Sequence, residues 1–121
     1  MFRQDVFMRA IEQIAAAIAK ALGFVGAAQF EDALVAVRDG KSALPVVPGV
    51  VDDMAPEALF QLLGKEHSQA LVALLDAEAD ALAGLKRDVL AERSRHRARA
   101  LEALARAVAG GNAPSGSPSP R

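Results

Sequence analysis

Cysteine, tryptophan and tyrosine are all missing from this 121-residue chain, and five phenylalanines supply every aromatic ring. Without cysteine there is no disulfide scaffold, no cysteine-ligated zinc or iron–sulfur centre and no thiol nucleophile. So few rings also argue against a protein that binds single-stranded nucleic acid by stacking bases. No apolar run reaches the roughly 18 residues of a transmembrane helix. Asp5, Arg9 and Glu12 interrupt the first apolar stretch, which excludes a secretory signal and makes a cytoplasmic location the expectation. His67 and His96 lack a second ligand at HxxxH or HExxH spacing and read as surface or rim residues. Phosphate-cradling glycine loops and the G-x-S-x-G nucleophile context are also missing. The expectation is a non-enzyme with no cofactor and no metal.

What the chain does have is small apolar residues: 52% of it is hydrophobic, and alanine occurs 27 times. They fall at helical spacing, which predicts an all-α fold of about five helices over residues 1–109. The first runs from about Gln4 to Leu22 on the stripe Phe7, Ile11, Ile14, Ile18 and Leu22, with Gly23 as its stop. The second, from about Ala27 to Asp39, carries Phe30, Ala33, Leu34 and Val37 and ends at Gly40. A loop from Lys41 to Ala55 holds Pro45, Pro48, Gly49 and the capping or loop pair Asp52–Asp53. A short third helix starts at Pro56 and stops at Gly64. The fourth starts at Ser68 as N-cap and runs to Leu85, and the fifth spans about Asp88 to Ala109 on Leu90, Leu101, Leu104 and Val108. Helices one and two, and four and five, should form antiparallel hairpins bridged by the third. The Gly/Ser/Pro tail 110–121 is expected to be disordered.

The net charge of −1 conceals a split, because the acidic residues crowd before position 86 and the arginines after it. On the fifth helix Glu92, Arg95, Arg99, Glu102 and Arg106 share one face at spacings of three and four, the pattern of a solvated, salt-bridged surface. Arg93 and Arg97 fall instead in or beside the leucine stripe. Asp76, Glu78 and Asp80 form a carboxylate cluster whose outer members are solvated, whereas Glu78 falls among Leu71, Leu75 and Leu82. With the turn near residue 86, Glu78 is expected to form a structural ion pair with Arg93 or Arg97 that sets register more than stability. The alternative is that Glu78 lines a pocket and the arginines meet an anionic partner.

Two resemblances add to this. Asp5, Arg9, Ile11 and Glu12 of the opening segment are similar to the start of a family of short bacterial proteins of unknown function. Phe30-Glu31-Asp32-Ala33-Leu34 and Arg99-Ala100-Leu101-Glu102-Ala103-Leu104 resemble the second helix of a tetratricopeptide repeat, and they stand close to two repeats of roughly 34 residues apart. The resemblance implies a tetratricopeptide-like, non-catalytic protein–protein interaction module with an unknown protein partner. Phe2, Phe7 and Phe24 could offer an apolar patch to that partner or to a second copy, and Arg93, Arg95, Arg97 and Arg99 a charged one. Nucleic-acid or anionic-surface binding through the fifth helix is the alternative; neither nucleic acid nor membrane is the expected partner.

Overall fold

A computed structural model describes residues 2–47 and 49–110, with side chains from 8 to 108 apart from Pro48. The tail beyond Gly110 lies outside the described residues. The architecture is all-α: α1 (Phe2–Gly26), α2 (Phe30–Ser42), α3 (Val50–Asp53), α4 (Pro56–Gly84) and α5 (Asp88–Gly110), with no strand among the described residues. The principal packing partners are α4 with α5 and α1 with α2, and α4 also lies against both α1 and α2.

The helix count matches the expectation, but the chain is divided differently. The loop 41–55 contains the one-turn α3, and the expected third and fourth helices run together as α4. Pro56 is the first residue of α4, where its missing N–H costs nothing. Gly64 interrupts α4 with φ 83° and ψ 175°, a conformation that needs glycine, and helix resumes at once on its far side. Ser68 therefore does not cap a helix; it lies inside α4 and is fully buried. His67 beside it is also buried, at 4% exposure, and not at the rim.

The buried edge of α1 is Ile14, Ala17 and Ala21, with Ile11 and Ile18 half-buried and Leu22 52% exposed. Small residues on that edge let backbones approach closely. A Cβ on Gly40 would stand 2.6 Å from Cδ2 of Leu74 and 3.0 Å from Cβ of Ala17. Gly40 is thus a buried contact within α2, not its terminus, and α2 continues to Ser42. On α5 the inward stripe is Ala91, Ser94, Ala98, Leu101 and Ala105, which leaves Leu90 46% exposed. The main core gathers Ile14, Val37, Leu59, Leu71, Leu74 and Leu101. A smaller cluster of Ala79, Leu82 and Ala91 takes in Leu34.

Both tight turns end helices in the same way. Past Gly23, α1 closes where Gln29 N–H donates to Phe24 O and Ala28 N–H to Val25 O, with Ala28 at φ 60°. After α4, Arg87 N–H donates to Leu82 O and Lys86 N–H to Ala83 O, with Lys86 at φ 63°. These are Schellman closures, but each places an L-residue where glycine is usual. Left-handed backbone costs such a residue roughly 1–2 kcal/mol.

Lys86→Gly should therefore stabilise the fold by about 0.5–1 kcal/mol, the relieved strain less the chain entropy that glycine adds. Urea denaturation measures it, and a lower midpoint would contradict the strain. Gly40→Ala should act in the opposite direction, destabilising by about 1–3 kcal/mol through overpacking against Leu74, although alanine favours helix by about 1 kcal/mol elsewhere. A midpoint that rises for this variant would show that Leu74 moves aside.

Candidate functional site

Three helices contribute matching stripes to one cleft. On α2 they are Leu34, Arg38 and Lys41; on α4, Leu75, Glu78 and Leu82; on α5, Leu90, Arg93, Ser94 and Arg97. Each stripe spans two helical turns at spacings of three and four, so its members share a face. Asp52 and Asp53 of α3 complete the rim, and the half-open space between these walls is about 430 Å³. That lies within the roughly 300–1,000 Å³ typical of ligand pockets.

At the inner wall Glu78 is held by two donors. Lys41 Nζ lies 2.9 Å from its Oε2, and Ser94 Oγ donates to its Oε1 at 2.8 Å. The side chains of Lys41 and Glu78 are only 12% and 20% exposed. Lys41 also reaches Asp52 Oδ1 at 2.9 Å, so one ammonium ties α2 to α3 and to α4. Arg97 donates from a terminal nitrogen to the carbonyl of Val51, which fastens α3 from the other side. The expected Glu78–Arg93 or Glu78–Arg97 pair is therefore replaced by Glu78–Lys41. Glu78 does point inward, but α2 extends beyond Gly40 and delivers Lys41 to it, while the backbone of α3 takes Arg97.

The arginines divide into two groups. On the outer face of α5, Arg95 lies 3.5 Å from Asp80 and 3.5 Å from Glu92. Arg99 donates to Asp76 at 2.7 Å, a hydrogen bond that raises its pKa further, and lies 3.2 Å from Glu102. Arg106 is 3.7 Å from Glu102. The pairs expected along this face from Glu92 to Arg106 are present, and they occupy Arg95 and Arg99, two residues of the expected partner patch. Arg38, Arg93 and Arg97, by contrast, line the cleft with no carboxylate of the described residues within 4 Å. Nε of Arg97 is buried and has no hydrogen-bond partner. Four cations in the cleft face three carboxylates, and Lys41 occupies two of those.

Phe24 packs against the main core, and the side chains of Phe2 and Phe7 lie outside the described residues. Asp76, Glu78 and Asp80 each turn to a different cation, and among the described residues no group of three or more His, Asp or Glu could hold a metal ion. Nor is any described helix long and apolar enough to cross a membrane. Lys41, Ser94 and Arg38 are the site residues that sequence reasoning passed over. The signal for Arg38 and Lys41 is the spacing Leu34–Arg38–Lys41, which taking Gly40 as a helix end conceals; that for Ser94 is its place four residues after Leu90.

Glu78→Ala would remove the acceptor of Ser94 and one of the two partners of Lys41, both well buried, and should destabilise the fold by about 1–3 kcal/mol. Asp80→Ala breaks only an exposed pair and should cost at most about 1 kcal/mol. Chemical denaturation of the two variants side by side tests this, and equal losses would mean that the inner network carries no special weight. Set against protein-family models, curated proteins and solved structures, the chain matches none of them.

Proposed function

We propose that this chain is a non-catalytic helical interaction module of tetratricopeptide-like helix pairs, and that it captures an acidic segment of a protein partner in the cleft between α2, α4 and α5. One observation carries the proposal: Arg38, Arg93 and Arg97 all line the cleft with no carboxylate of the described residues paired to them, while Arg87, Arg95, Arg99 and Arg106 are all ion-paired. Guanidinium groups bind carboxylates in a planar fork, and a half-enclosed setting strengthens such bonds relative to open water. Asp53 on the rim limits the charge the cleft accepts, which suits one or two carboxylates better than a run of phosphates. Binding of nucleic acid or an anionic surface along α5 is the weaker reading, because the outward arginines are already neutralised by Asp76, Asp80 and Glu102.

Titration of the labelled full chain with an acetylated, amidated Gly-Ser-Glu-Glu-Ser-Gly peptide, followed by NMR, tests this. Shifts should concentrate on α2 and α5 around Arg38, Arg93 and Arg97. They should vanish for the Gln-Gln counterpart and weaken about tenfold in Arg38→Gln/Arg93→Gln. Shifts confined to Arg95 and Arg99 would favour the α5 surface, and the absence of any shift would reject the cleft.

A further inference from the structure

The geometry points to a two-part ligand for this cleft: a carboxylate side chain next to a large apolar one, presented together by one extended stretch of a partner protein. This deepens the proposed function and rests on it. The cations account for only part of the cleft. Its space of about 430 Å³ is far more than a carboxylate group fills.

The remaining wall is apolar. Leu34 and Leu82, joined in the smaller cluster, line it beside Leu90. Leu90 is the telling residue. It occupies a helical position between Arg87 and Arg93, yet the inward stripe of α5 passes through Ala91 and Ser94, so no described element covers Leu90 and it stays 46% exposed. The neighbouring Val89 is 83% exposed. Arg93 and Arg97 follow one and two turns along α5 from Leu90, on the same wall. Apolar and cationic subsites are therefore adjacent, at a separation that neighbouring side chains of one peptide can span. An apolar group over Leu90 would also exclude water from beside the guanidinium groups and strengthen their hold on the acid. A purely acidic segment would leave Leu90 wet, and a purely apolar one would cover Arg38 and Arg93 with no carboxylate to meet them.

The test uses the full chain and a matched set of acetylated, amidated peptides, Gly-Ser-Xaa-Glu-Ser-Gly and Gly-Ser-Glu-Xaa-Ser-Gly, with Xaa serine, leucine or phenylalanine. Dissociation constants come from NMR titration. In at least one of the two orders, leucine or phenylalanine should tighten binding about tenfold over serine, the gain expected from covering one leucine-sized side chain. Leu90→Ser should remove that gain, so that the leucine and phenylalanine peptides bind no more tightly than the serine ones, whereas Arg93→Gln should weaken all of them. The wild-type comparison among peptides needs no variant, so a poorly folded Leu90→Ser cannot obscure the answer. If the serine, leucine and phenylalanine peptides bind alike, the two-part ligand is wrong and the acidic cleft stands. If no glutamate peptide binds, or glutamine replaces glutamate without loss, the two-part ligand and the acidic cleft both fall.

Discussion

A carboxylate withdrawn from water costs several kcal/mol unless donors meet it, and breaking a buried pair from one side is costlier than never having built it. Glu78 is placed under this constraint. The helical phase of Leu71, Leu75 and Leu82 carries it inward, and α5 alone supplies only the hydroxyl of Ser94. The remaining demand is met by Lys41, which stands far enough along α2 to reach Glu78 only because that helix continues past Gly40. Once there, the ammonium collects Asp52 and with it α3. Four helices thus depend on one acid being satisfied. The main core and the smaller apolar cluster meet along α4 and α5 at this polar seam, with Glu78 and Ser94 falling between them in both helices.

The same seam divides the positive charge. Arginines that face outward from α5 find Asp76, Asp80, Glu92 or Glu102 within reach, and such exposed pairs contribute little to stability. Of the arginines of α5 that line the cleft, Arg97 donates to a backbone carbonyl and Arg93 has no carboxylate of the described residues within 4 Å. What distinguishes Arg93 and Arg97 from Arg95 and Arg99 is a rotation of about 100° per residue around one helix axis. A count of basic residues along the segment could not separate them.

The all-helical class, the start at Pro56, the turn between Gly84 and Asp88, and the inward phase of Glu78 were legible in the sequence, because each follows from periodicity or from a proline's missing donor. The misplacements share one cause. Gly23 and Gly40 both follow apolar periodic residues as a C-terminal glycine does, yet Gly40 is a packing surface and α1 passes through Gly23 to close at Ala28. Glycine marks close approach and helix termination with the same letter, and only the neighbouring helix tells them apart. Gly64 was read correctly as a break, but a single residue at positive φ needs no loop after it, so Ser68 was left inside the helix and not at its cap. With a helix end at Gly40, Lys41 falls in a loop and Glu78 has only α5 to turn to.

Phe30 lies so close over Gly84 that a Cβ there would stand 2.4 Å from the ring. Phe30 opens α2 and Gly84 closes α4, so the contact clamps one end of the groove between these helices, and the Lys41–Glu78 bridge clamps the other. The bare backbone of Gly84 therefore fixes how closely α2 and α4 can approach at that end: any side chain at position 84 would lift the Phe30 ring, and with it the first turn of α2, away from α4.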